Sequence, residues 1–160
     1  MGIVPEKLVY LDECGLKTYF QSEYGRALRG IKVEDTKRGR KFERLNVIGA
    51  ICNKKHLAVK CYKNTTNSKF FEQWFAECLL KEIPKGHTII MDNASFHRKS
   101  KLYELAQEAE VGLIFLPPYS PDFNPIEKSW ANMKRWLRSR MLDYMSIDAA
   151  VYYYFSVVNY

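Results

Sequence analysis

Thr88-Ile89-Ile90-Met91-Asp92-Asn93-Ala94-Ser95-Phe96-His97 sets an apolar run directly against an acid. Such a run reads as a buried strand that delivers a carboxylate at its C-terminal tip, where α/β sheets usually place their chemistry. Further on, Pro117-Pro118-Tyr119-Ser120-Pro121-Asp122-Phe123-Asn124-Pro125-Ile126-Glu127 carries a proline-bounded loop into a helix, with Glu127 on the first turn. Asp122 is also an acid of this block, but a helix-borne Glu127 is better pre-positioned as a ligand than a loop residue. A third acid has the same strand-then-carboxylate look in Leu8-Val9-Tyr10-Leu11-Asp12-Glu13. In isolation, Asp12 or Glu13 would read as a strand-end turn residue. Three acids on rigid elements suggest a metal site.

Outward from this core, Leu102, Leu105, Ala106 and Ala109 share one helical face, and residues 111–116 form another apolar strand. Strand, helix and strand imply a right-handed parallel crossover. Toward the N-terminus, residues 7–11 predict a strand that 15–20 extends past a bulge or turn at Cys14-Gly15. Residues 45–52 and 57–62 predict a hairpin around Asn53-Lys54-Lys55. Phe71, Trp74, Phe75, Cys78 and Leu79 then recur at helical spacing, a stripe read as core rather than as a base-stacking platform. After the proline loop, Ile126, Trp130, Met133, Leu137 and Met141 should face the sheet, with Glu127, Lys134 and Arg138 about a quarter-turn away. A last helix from Ser146 should bury Ile147, Ala150, Val151, Tyr154 and Val158. The expectation is an α/β fold, a five-stranded mixed sheet flanked by helices, in one domain over residues 1–160.

Apolar content of 47% and charged content of 27% argue against disorder. A net charge of +7, from 25 Lys plus Arg against 18 Asp plus Glu, favours a polyanionic partner. The run Lys37-Arg38-Gly39-Arg40-Lys41 either follows a phosphate backbone or is a solvated loop. Cys14, Cys52, Cys61 and Cys78 show no CxxC pair, and His56, His87 and His97 show no zinc-ligand spacing near them. Cys52, Cys61 and Cys78, in apolar contexts, read as reduced buried thiols of a cytoplasmic protein. No segment is long and apolar enough to address the chain to a membrane.

The blocks Leu11-Asp12-Glu13, Met91-Asp92-Asn93-Ala94-Ser95-Phe96-His97 and Pro117 through Glu127 resemble the signature of DDE transposases, in particular the bacterial insertion-sequence branch of the mariner superfamily. The 34 residues between Asp92 and Glu127 match the spacing typical of that branch. The resemblance implies a ribonuclease H-like fold related to retroviral integrases. It also implies metal-dependent cleavage of transposon-end DNA and transfer of the 3′-hydroxyl strand to target DNA. Asp12, Asp92 and Glu127 would be the catalytic and metal-binding triad for two Mg²⁺ or Mn²⁺ ions, with Asn93, His97 and Asn124 as near-site support. DNA contacts are expected from Arg38, Arg40, Lys41, Arg98, Lys99, Lys128, Lys134 and Arg138. Family members act on transposon ends and target DNA, as a dimer on DNA, and a bacterial protein of this kind would be cytoplasmic and nucleoid-associated. They also carry an N-terminal helix-turn-helix DNA-recognition region, which is expected to be absent from a chain that begins almost at the first catalytic strand. Two other readings are a catalytically silent DNA-binding or interaction module, and another ribonuclease H-like nuclease such as a junction resolvase.

Overall fold

The computed structural model describes residues 2, 4–19, 42–140 and 146–158. The basic run with Arg38, Arg40 and Lys41, and Met141 of the expected helical face, lie outside them. Five strands form one sheet in the order β3-β2-β1-β4-β5. They are β1 (Leu8–Tyr19), β2 (Phe42–Cys52), β3 (Lys55–Tyr62), β4 (Thr88–Met91) and β5 (Gly112–Phe115). β1, β2 and β3 pair antiparallel, whereas β4 pairs parallel with both β1 and β5. This is the mixed sheet expected from the sequence.

Two details of the sheet differ from the sequence reading. β1 runs unbroken through Cys14 and Gly15, because each residue from Val9 to Tyr19 has a partner on β2 in one register. The irregularity lies instead in the β2–β3 pairing, between Ile48 and Ala50. β3 starts earlier than expected because Asn53 and Lys54 both take positive φ, 47° and 66°, and so close a two-residue hairpin turn.

Helices cover both faces. One layer comprises α1 (Ser68–Trp74), a π-helical turn Phe75–Leu79, α2 (Leu80–Glu82) and α3 (Lys99–Glu108). Asn67 caps α1, its side-chain oxygen accepting from the Phe70 N–H at 2.8 Å. The aromatic stripe packs as core: Phe71, Trp74 and Phe75 are buried with Val9, Leu11, Ile48, Ile89, Met91 and Leu102. The other layer comprises α4 (Ile126–Arg140) and α5 (Ile147–Tyr153), which continues as a π-helical segment Tyr154–Val158. Ile126, Trp130, Met133 and Leu137 pack there with Cys14, Leu16, Leu45, Val47, Ile147, Ala150, Val151 and Tyr154. Val158, expected on this buried face, is exposed because the wider π-turn rotates it out of the helical stripe.

This division fixes which way each residue of β1 faces. Val9 and Leu11 enter the α1–α3 core, and Cys14 and Leu16 enter the α4–α5 core. Strand alternation therefore sends Asp12 toward α4 and Glu13 toward α1 and α3.

Candidate functional site

β1 outruns β4: their parallel pairing covers only Leu8–Thr88, Val9–Ile89 and Tyr10–Ile90. Asp12 consequently lies just beyond the paired segment, beside the tip of β4, where Asp92 leaves the sheet. Asp12, Asp92 and Glu127 line one cleft of about 370 Å³, together with Asn93, Ala94, Asn124 and the loop from Leu116 to Ser120. Asp122, the competing acid, is exposed in the short turn Pro121–Phe123 and does not line this cleft.

Asn124 brings α4 to β1. It is buried, its Nδ2 donates to the Leu11 carbonyl at 3.3 Å, and its Oδ1 accepts from the Ile126 N–H at 3.3 Å. One amide thus ties the start of the helix bearing Glu127 to the residue before Asp12. Asn124→Ala is expected to cost about 1–2 kcal/mol of stability through two lost hydrogen bonds. It should also slow any metal-dependent cleavage about tenfold by misplacing Glu127. Urea unfolding and cleavage rates check this, and an unchanged unfolding midpoint would show that the two bonds contribute nothing net.

Burial pushes Asp12 up to about 6, and the neighbouring charges of Asp92 and Glu127 add to the shift. The buried indole N–H of Trp130 favours the Asp12 carboxylate but closes no hydrogen bond among the described residues. Gly49, opposite Asp12 on β2, makes room for this indole: a Cβ there would stand 3.3 Å from Trp130 Cη2 and 3.2 Å from Val59 Cγ2.

His97 is buried and places Nε2 at 3.1 Å from Asp92 Oδ1, so it buttresses Asp92 from behind. Asn93 lines the cleft and is exposed. The basic residues are spread more widely. Arg98 forms a two-pronged ion pair with Glu72, at 2.7 Å and 2.5 Å, and the Lys99 ammonium sits 5.0 Å from the Phe115 ring centroid. Lys128 and Arg138 are exposed on α4. Lys134 lines a second cleft that also borders Asp12 and Glu127, with Glu13, Cys14, Gly15, Trp130 and Ala131.

Sequence reasoning assigned no role to Trp130, Gly49 or Glu13 at this site. Only Glu13 left a signal, since the inward column Val9, Leu11, Glu13 places an acid where alternation calls for an apolar residue. Burial pushes Glu13 up to about 8, with the charges of Asp92 and Asp12 adding to the shift.

A mixed five-stranded sheet flanked by helices, with Asp12, Asp92 and Glu127 lining one cleft beside its central strands, is a ribonuclease H-like fold. The chain belongs to the DDE superfamily of endonucleases, whose model matches residues 7–146. It is 30% identical over 104 residues to the uncharacterized protein y4pE/y4sA of Sinorhizobium fredii, covering 63% of this chain and 75% of that one. Its fold is similar to that of Mos1 transposase in a strand transfer complex, with a TM-score of 0.60 and 16% identity, over 93% of this chain and 51% of that one. It is similar as well to the HTLV-2 integrase catalytic core domain, with a TM-score of 0.60 and 15% identity, over 97% of this chain and 86% of that one. The chain spans about half the length of the Mos1 transposase chains it matches.

Proposed function

We propose that this domain cuts DNA at transposon ends and joins the freed 3′-hydroxyl to target DNA. The observation that supports this best is the meeting of Asp12, Asp92 and Glu127, carried by three separate elements, in one open cleft. The donor set fits hard divalent cations: all three side chains offer carboxylate oxygen, and burial, with the charges of Asp92 and Glu127 adding to it, raises the proton affinity of Asp12, a penalty that a cation offsets. Asp12, Asp92 and Glu127 would hold two Mg²⁺ or Mn²⁺ ions. Bound there, such ions supply activation of the attacking hydroxyl and stabilisation of the leaving oxygen. The protein's own part is orientation. His97 holds Asp92, Asn124 holds the start of α4, and the loop from Leu116 to Ser120 walls the cleft.

DNA would run along α4, where Lys128, Lys134 and Arg138 follow Glu127, with Lys99 at the start of α3. Asn93, exposed in the lining of the cleft, would meet the strand being cut. Arg98, held by Glu72, would contact phosphate only by sharing its guanidinium, and the run with Arg38, Arg40 and Lys41 would add further contacts. A dimer on DNA and a cytoplasmic, nucleoid-associated setting belong to the same reading. Among the described residues, no helix is long and apolar enough to cross a membrane.

Four phosphate contacts from Lys99, Lys128, Lys134 and Arg138 would lower DNA affinity about a hundredfold between 50 mM and 200 mM salt. A filter-binding titration measures this, and affinity independent of salt would contradict the DNA reading. The decisive test of the activity is nicking of supercoiled plasmid with Mn²⁺ by the chain and its triad variants. A silent module would bind DNA with the same salt slope and leave the plasmid intact.

A further inference from the structure

We propose that Glu13, Asp92 and His97 form a second cation site, for a transition ion of the Co²⁺ or Zn²⁺ kind, on the face of the sheet opposite Glu127. One ligand atom from each of the three lies within 4.8 Å of the other two. That spacing lets a single ion reach all three after small side-chain adjustments, since such ions sit about 2.0–2.2 Å from nitrogen and oxygen donors.

The three side chains come from different places. Glu13 continues the inward column of Val9 and Leu11, and its β2 partner Ile48 belongs to the same α1–α3 core. Its Oε1 is buried and has no hydrogen-bond partner among the described residues. A buried acceptor without a partner is costly, and a ligand that satisfies it is the simplest reason for it to persist. The His97 side chain is fully buried, with ring centroids of Phe71 and Phe96 at 4.3 Å and 4.2 Å, so its Nε2 is fixed in place facing Asp92. Asp92 is half exposed and faces both ways, toward His97 and into the cleft shared with Asp12 and Glu127.

The donor chemistry selects the ion. Imidazole nitrogen with two carboxylates suits Co²⁺ and Zn²⁺, whereas Mg²⁺ prefers all-oxygen octahedral surroundings and sheds water reluctantly. Ligation through Nε2 leaves the ring proton on Nδ1, which has no hydrogen-bond partner among the described residues. Without that support the site should be about 10–100-fold weaker than one with a buttressed histidine. The site itself stands on this geometry. Its consequence, that an ion here would draw Asp92 away from the cleft, rests on the triad reading above.

Titration of the full chain with Co²⁺ in the presence of excess Mg²⁺, followed by visible absorption, tests the proposal. One equivalent should give absorption bands that Mg²⁺ does not displace. Glu13→Gln and His97→Gln should each weaken Co²⁺ binding about tenfold or more. Glu127→Gln should leave it unchanged, and circular dichroism establishes that each variant is folded. The proposal is overturned by the absence of bands, by bands that persist in both Glu13→Gln and His97→Gln, or by bands lost to excess Mg²⁺ or in Glu127→Gln. If Co²⁺ binding fails while Asp92→Ala still abolishes nicking, the second site falls and the triad stands. If Co²⁺ binds as described but nicking ignores Asp92→Ala, the triad falls and the second site stands.

Discussion

Asp92→Ala is expected to lower Mn²⁺-dependent nicking of supercoiled plasmid by about a thousandfold. The magnitude follows from the role: a cation that stabilises developing charge contributes several kcal/mol to the transition state, and each 1.36 kcal/mol is a factor of ten. Asp92 borders the cleft, receives support from His97, and stands at the tip of a central strand, where its carboxylate is held in position. Asp12→Ala and Glu127→Ala should have effects of similar size, because groups acting as one unit are grossly non-additive and losing any member disables the unit. Asp122→Ala serves as the contrast. Its side chain is exposed and outside the cleft, so rates should stay within a factor of about two to three, the scale of an ordinary surface change. Nicking that survives Asp92→Ala would remove the triad assignment.

The fold was legible because its signals are local and periodic. The strand at 88–91, the helical spacing after it and the apolar run at 112–115 each have a period that a single sequence displays. The continuity of β1 was not. Gly15 usually marks an interruption, yet here it pairs with Asn46 across an unbroken antiparallel ladder, and only the partner strand supplies that information. Val158 was misplaced for a similar reason. A π-turn shifts the helical period, and no residue type announces it.

The site divides along the same line. Asp12, Asp92 and Glu127 were visible because each stands at the edge of an apolar or proline-bounded element. The residues that hold them were harder to read, since their partners are distant in sequence. Asn124 reaches Leu11 across 113 positions, and Gly49 matters only because Trp130 lies over it. Glu13 sat beside Asp12 in plain view. Adjacent residues of a strand face opposite ways, however, so the two carboxyls serve opposite faces of the sheet and share only Asp92 as a charged neighbour from the triad.

This two-faced arrangement gives the metal-free protein an unusual dependence on pH. Glu13 rises from 4.5 to about 8 and Asp12 from 3.8 to about 6 on folding, both chiefly through burial. The folded state therefore keeps protons that the unfolded chain releases, and stability must fall as pH rises through these windows. The contribution is fully present below the unfolded values, 3.8 for Asp12 and 4.5 for Glu13. The Asp12 part is lost by about pH 6 and the Glu13 part by about pH 8, together on the order of several kcal/mol. The charges of Asp92 and Asp12 act on Glu13, His97 lies in the same cluster as its carboxyl, and Tyr62 feels its charge. His56, held neutral by burial, and Asp148, whose carboxyl is favoured in its charged form chiefly by Ser146, act in the opposite sense at acid pH. The comparison that isolates Glu13 is therefore the interval from pH 6 to pH 8. Urea unfolding in EDTA should show the native chain losing stability across that interval and Glu13→Gln staying nearly flat. Mn²⁺ should restore stability more at pH 8 than at pH 5, because cations bind the carboxylates whose repulsion grows as protons leave. Parallel curves for the native chain and Glu13→Gln would mean that Glu13 is charged in the folded protein at neutral pH, with its burial offset by a partner.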